Sequence, residues 1–360
     1  MEKLKEEVVS NVKPKKKKYI LSICFLICLI LITIVVIFTK YNIKDLIKLI
    51  KKIEAKYILF SIPLLIIYIL FESLATKVIL KALGLNTSLK KNFCYSSIDY
   101  YFCAVTPSAS GGQPMVLYYM NKDKIPVSYG SLTLLINTAL FKIVLLVLST
   151  ISIIFCYEQI FINPLFIVLF VIGYIINIAL VLLCFLAAFK RKWIEKAGKV
   201  IIMWLSRHKL IKKTISTVRL FNQKMDEYEE GAKLIKKNKK KFLIVLGCNF
   251  IQRIAMFSIA FFVYLSFYKV FEIKRVSFID LFAIQVIIAL CVDSLPLPGG
   301  VGISEFLYVY LFGIVYISEE IVASAMLLTR AVSFYIPLIF TAIIVIAKHI
   351  STIKCRSENL

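Results

Sequence analysis

Metal-binding residues are nearly missing from the sequence. There are two histidines, His208 and His349, and no Cys-x-x-Cys pair, so the ligand sets of structural or catalytic metal sites cannot be assembled. Eight of the nine cysteines (Cys24, Cys28, Cys94, Cys103, Cys156, Cys184, Cys248 and Cys291) lie in apolar segments, and Cys355 is in the C-terminal tail. They read as small hydrophobes, not as a disulfide framework. No P-loop, no dinucleotide fingerprint and no nucleophile with a base at readable spacing is present, and no cofactor is implied. Charge is sparse too, 18% of residues, with 21 acids against 45 lysines and arginines. With 60% hydrophobic residues and a mean hydropathy of +0.85, this poverty of charge excludes a soluble enzyme.

What the sequence has in abundance is bilayer-length apolar runs. A membrane core takes about 20 apolar helical residues, and uninterrupted candidates are 19–39, 57–80, 128–156, 164–189, 242–268 and 320–347. Lys15 to Lys18 lead into a run too long for a signal-peptide core and without a small-residue cleavage site, so Tyr19 to Thr39 reads as a retained first span. The net charge of +24 lies in short segments between these runs. Anionic lipid headgroups are therefore its nearest counter-charge, and no nucleic-acid partner is expected.

Two further apolar regions, 92–120 and 278–316, are interrupted. The first break reads TPSASGGQP (Thr106 to Pro114) and the second LPLPGGVG (Leu295 to Gly302), and together they hold four of the nine prolines and five of the twelve glycines. Helix breakers concentrated at two places of membrane depth predict two broken helix hairpins. The tail 1–18 carries seven lysines, and segment 190–241 carries seventeen basic residues against five acids. Both are expected on the cytoplasmic side of the cell membrane, as is the tail 348–360. Threading the spans between them makes the two hairpins dip from opposite faces.

The numbering agrees with that threading. A shift of 188 residues carries Gly111-Gly112 onto Gly299-Gly300, span 57–80 onto 245–268, and Lys142 onto Arg330. The expected fold is therefore an all-α, polytopic membrane protein: about six full spans plus two opposed re-entrant hairpins, in an inverted repeat with halves at about 57–156 and 242–347. Residues 43–56 place isoleucines and leucine on one helical face and lysines on the other, as in a helix lying in the outer interface. Segment 190–241 reads as a helical, headgroup-binding linker on an anionic membrane surface. Self-association into a homo-oligomer is neither required nor excluded.

Irregular backbone at membrane depth needs a polar pocket to satisfy it. Half-helices starting after Gly112 and Gly300 would aim unpaired N–H groups at such pockets, which suit an anion such as phosphate, with Gln113 and Ser304 as neutral polar neighbours. The deep charges are Glu72, Lys142, Arg253 and Arg330, with Asp99, Asp293 and Glu305 near the breaks. Each intramembrane charge is expensive and points to function. Mutual neutralisation is the alternative: Arg330 with Glu305 or Asp293, and Lys142 with Glu72. Otherwise Lys142 and Arg330 share one phosphate, with Glu305 and Asp293 holding Arg330 or meeting an amine.

The TPSASGGQP stretch, the LPLPGGVGISEF stretch (Leu295 to Phe306) and the surrounding hydrophobic segments resemble the transmembrane flippase-like domain of lysylphosphatidylglycerol synthases, the multiple peptide resistance factors. The likeness runs over roughly 15–350. It implies translocation of anionic or aminoacylated phospholipid, such as lysylphosphatidylglycerol, and a contribution to resistance against cationic antimicrobial peptides. It further implies that the Gly-Gly turns, Glu305 and Arg330 are functional. Family members join this domain to a soluble C-terminal lysyltransferase. The chain here stops at Leu360, so the lipid-modifying synthase is expected to be a separate partner. A phosphatidylglycerol lysyltransferase and an ion-coupled solute transporter stay open as alternatives.

Overall fold

The computed structural model describes residues 43–106, 109–161, 164–207, 214–271, 273–293, 295, 300, 302–316 and 318–357. The expected first span 19–39 and basic tail 1–18 lie outside these residues, as do Gly299 and the last three residues of the tail. The described residues form helices and no strands. The elements are α1 (Ile43–Lys52), α2 (Ala55–Ala82), α3 (Leu89–Val105), α4 (Gly112–Lys122), α5 (Val127–Phe161), α6 (Pro164–Phe189), α7 (Arg191–Arg207), α8 (Thr214–Lys237), α9 (Lys239–Tyr268), α10 (Phe278–Asp293), α11 (Ile303–Phe312), α12 (Glu319–Arg330), a π turn (Ala331–Tyr335) and α13 (Ile336–Ser357).

Five helical stretches among the described residues are long and apolar enough to cross a bilayer: α2, α5, α6, α9, and the rod α12–π–α13. The protein is an all-α, multi-pass membrane protein. Both breaks fall where the sequence put them, α3 ending before Thr106 and α4 opening at Gly112, α10 ending at Asp293 and α11 opening at Ile303.

Moved by 188 residues, the starts of α2, α3, α4 and α5 fall within four residues of the starts of α9, α10, α11 and α12. The first helices of these two stretches run in opposite directions. Glu54 N–H, just before α2, donates to Ser266 O near the end of α9; Gln252 Nε2 reaches Glu72 Oε2 at mid-helix; and Lys241 Nζ, at the start of α9, reaches Lys81 O at the end of α2. Those three contacts fix α2 and α9 as an antiparallel central pair. Each hairpin then packs on the last span of the other half, α3 on α13 and α10 on α5. Tyr100 donates to Ser333 O at 2.9 Å, and the Phe93 ring meets that of Phe340 edge-on. Because lipid tails are as apolar as the side chains, such interlocking rests on close packing and interhelical hydrogen bonds. Gly173 of α6 shows the closeness: a Cβ there would lie 2.6 Å from Leu290 O.

The open end of the first hairpin, away from its 106–111 turn, is pinned to α13 by polar contacts. Asp123 accepts from Tyr95 Oη and forms an ion pair with Lys348 at 2.8 Å, while Tyr119 Oη and His349 Nδ1 are 3.0 Å apart. Segment 190–241 contains the helices α7 and α8, tied by Arg191 to Asp226 and Glu229. Leu59, Ile154, Ile175, Leu183 and Ile343 are exposed, as residues facing lipid are.

Candidate functional site

The second break gathers charge from both halves. Its backbone turns through Gly300 (φ +65°) and Gly302 (φ +91°), left-handed values that glycine adopts without strain. Asp293 ends α10 on one side of it, and Glu305 sits in the first turn of α11 on the other. Lys142, reaching in from α5, forms an ion pair with Asp293. Arg330, from the end of α12, donates through Nε to Glu305 Oε1 at 2.7 Å and through Nη2 to Ser304 Oγ at 2.6 Å. Glu305 also accepts the Gly302 N–H at 2.6 Å and the Ser304 hydroxyl at 2.9 Å. The π turn directly after Arg330 frees the Ser333 carbonyl for Tyr100, so α12 and the first hairpin are joined next to the arginine.

The first break is built differently. Thr106 ends α3, turns its hydroxyl back to Phe102 O at 2.5 Å, and accepts the Gly111 N–H at 2.9 Å. Cys103 Sγ donates to Ala109 O at 3.4 Å. A Cβ on Gly112 would collide with Cys103 and Asp99, so this turn closes only over glycine. Gln113 Nε2 donates to Thr138 Oγ1 at 2.7 Å, fastening α4 to α5.

Deeper in, Glu72 of α2 accepts from Gln252, and Asp99 of α3 lies against Cys103 and Gly112 at the first break. Arg253 lies on α9 next to Gln252 and is 7% exposed. Its guanidinium stacks on Phe141, 3.6 Å from the ring centroid, with Phe257 at 5.6 Å. Arg253 Nε and Nη2 are buried without a hydrogen-bond partner. Asp293, the carboxylate within electrostatic reach, is held by Lys142.

The structure thus brings Lys142, Asp293, Gly300, Ser304, Glu305 and Arg330 together around one break, and places Gly111, Gly112, Gln113 and Asp99 at the other. The alternative pairing of Lys142 with Glu72 is replaced by Lys142 with Asp293, because the hairpin of the second half packs on α5 while Glu72 faces α9 and α3. The half-helix N-termini, read in the sequence as open to an anion, are met by the protein's own groups: Glu305 at α11 and Thr106 near α4. Sequence reasoning missed Phe141, Cys103, Thr138 and Tyr100. The only signal any of these offered was a polar or aromatic residue within an apolar span. Among the described residues no three His, Cys, Asp or Glu side chains converge as a metal site would need.

Comparison with known proteins agrees with this architecture. A family model described as the lysylphosphatidylglycerol synthase TM region matches residues 20–340. A UPF0104 membrane protein of Pyrococcus horikoshii is 23% identical over 341 residues, covering 89% of this chain and 96% of that protein. A UPF0104 membrane protein of Methanocaldococcus jannaschii is 22% identical over 362 residues, covering 96% and 99%.

Proposed function

The chain belongs to the family of the lysylphosphatidylglycerol synthase transmembrane region, and from that premise we propose that it moves anionic or aminoacylated phospholipid between the leaflets of the cell membrane. One observation carries the reading: Lys142 and Arg330, contributed by opposite halves, meet carboxylates at the two ends of a single intramembrane break. Transporters built from inverted repeats place their substrate at such a repeat interface, beside discontinuous helices.

The chemistry of the site suits a lipid headgroup. In the empty state Asp293 and Glu305 neutralise the two cations, which holds them in the membrane at tolerable cost. A lipid phosphate entering the break competes with the carboxylates for Arg330, whose fork can grip two oxygens, and for Lys142, which offers a point charge. The released carboxylates then face the amine of an aminoacyl headgroup. Exchange of one set of ion pairs for another lets the headgroup cross without a stage of bare charge. Delivery of an aminoacylated lipid to the outer leaflet would lower its negative potential and weaken the binding of cationic antimicrobial peptides.

The test is reconstitution into vesicles with head-labelled fluorescent phospholipid. Accelerated loss of the outer-leaflet signal after a membrane-impermeant quencher supports translocation, and an unchanged leaflet distribution overturns it. Incubation with lysyl-tRNA and phosphatidylglycerol addresses the transferase alternative, for which no product is expected.

A further inference from the structure

Among the described residues, the ion pairs around the second break leave the deep cation Arg253 unused. Arg253 is 93% buried on α9, and its Nε and Nη2 have no acceptor. These two nitrogens share one edge of the planar guanidinium, so their N–H bonds point the same way, in the fork that matches two oxygens of a phosphate or carboxylate. The side chain is held by its stack on Phe141, which sustains a cation from the ring face and leaves the edge unsatisfied. A buried guanidinium edge without acceptors is unfavourable in the empty protein and calls for an anion.

A second feature, independent of the first, supplies the rest of a ligand's outline. Between α5 and α9 runs a groove of about 330 Å³, lined by Ile143, Val144, Val147, Leu246, Gly247 and Phe250. Every one of these residues is apolar, and Val147 and Phe250 are exposed on the lipid side. The volume lies within the range of small-molecule sites. Val144 is one helical turn from Phe141 on α5, and Phe250 one turn from Arg253 on α9, so the groove and the stacked guanidinium are built by neighbouring turns of the same two helices. Gly247 gives the groove its depth, since a Cβ there would meet nothing within 4 Å.

We propose that α5 and α9 form a phospholipid site of their own, in which an acyl chain of an anionic phospholipid lies in the groove and its phosphate is gripped by the Nε/Nη2 edge of Arg253. The edge is closed to solvent in this conformation, so the headgroup arrives sideways from the bilayer, between α5 and α9, as that gap widens. The tail stays in a lipid-like surface while the phosphate exchanges water for a guanidinium. This site rests on the reading of the chain as a lipid-handling protein, but it is separate from the ion pairs at the second break, and it predicts binding whether or not the lipid crosses.

The test measures binding alone, by the thermal shift of the purified full chain in detergent with short-chain probes. Dihexanoylphosphatidylglycerol is expected to raise the melting temperature of the parent, whereas dihexanoylglycerol and inorganic phosphate at equal concentration do not. Arg253→Met is expected to melt higher than the parent without ligand, since it removes an unpartnered buried charge, and to lose the phosphatidylglycerol shift. Arg253→Lys keeps the charge but not the fork, and should weaken the apparent affinity on the order of tenfold. Gly247→Phe keeps Arg253 and fills the groove, and should weaken it by a similar factor. Retention of the parent's shift in Arg253→Met or Arg253→Lys overturns the phosphate contact. An equal shift by inorganic phosphate, unaffected by Gly247→Phe, replaces the lipid by a free anion; an equal shift by dihexanoylglycerol removes the role of Arg253. Loss of translocation with these shifts intact would count against the transport reading and leave this site standing.

Discussion

Lys142 and Arg330 occupy equivalent places in the two halves, yet both are ion-paired at the same break, Lys142 to Asp293 before it and Arg330 to Glu305 after it. The repeat is therefore broken chemically where it is kept geometrically. Moved back by 188 residues, Asp293 and Glu305 fall on Val105 and Leu117, so the first break has no carboxylate at either equivalent position. Lys142 turns instead to the hairpin of the other half, which packs on its helix.

The Arg330 pair is the first target. Glu305→Gln leaves the guanidinium without its counter-charge and the Gly302 N–H with a weaker acceptor. Breaking such a pair from one side costs about 3 to 5 kcal/mol, visible as a lower melting temperature in detergent and as lost lipid translocation. Arg330→Lys can keep only one of the two contacts to Glu305 and Ser304, so partial recovery is expected. Parent-like stability and transport in both variants would make the pair incidental.

Gly112→Ala should disturb the first hairpin. Its methyl group would run into Cys103 and Asp99 and lie 3.0 Å from Asp99 O, and overpacking of this kind costs about 1 to 3 kcal/mol. A drop in melting temperature, with faster proteolysis at the 106–111 turn, is the expected result. Unchanged melting would mean that the turn has room the packing does not show.

The reversed direction of the halves is open to chemical mapping. Lys122 ends α4 and Ile314 follows α11, and both are exposed. In a background freed of the native cysteines, Ile314→Cys should react with an impermeant maleimide from outside the cell and Lys122→Cys only after permeabilisation. Labelling of both from one side would remove the inverted topology.

The helix α7 provides its own reporters. The chain has two tryptophans, and both, Trp193 and Trp204, are exposed on α7 along a stripe with Val200 and Ile201. The opposite face packs on α8, where Gly198 abuts Phe221. An exposed apolar stripe beside Arg191, Lys192, Lys196 and Lys199 fits the headgroup layer of an anionic leaflet. Brominated lipid should quench this fluorescence more than aqueous iodide, and the reverse order would place α7 in water.

The same fluorescence reads the clasp between α7 and α8 as a function of pH. Lys233, and after it Arg191, hold the Glu229 carboxyl well below the usual carboxylate range, to about 2. A depressed value means that the clasp contributes at neutral pH and down to the ordinary carboxylate value, and is lost only as pH falls from there through about 2. The emission should therefore be flat from pH 8 to pH 5 and shift below. A transition near neutrality would show that another group controls the clasp.

The sequence by itself determined the class, the two breaks with their spacing, and the five spans found among the described residues. Those features are local: a bilayer sets the length of an apolar run, proline and glycine interrupt a helix where they stand, and a repeat keeps its spacing. It also picked out every deep charge, because a charge in an apolar run is conspicuous whatever surrounds it. Only the tertiary structure decided what those charges do. Lys142 and Asp293 are 151 positions apart, and nothing in the neighbourhood of either residue prefers that partner to Glu72. The choice follows from α10 packing on α5 and α2 on α9, which is a property of all the interlocked helices at once. For the same reason Arg253 looked like any other buried cation in the sequence. Its lack of a hydrogen-bond partner for Nε and Nη2 among the described residues appears only in the packed structure.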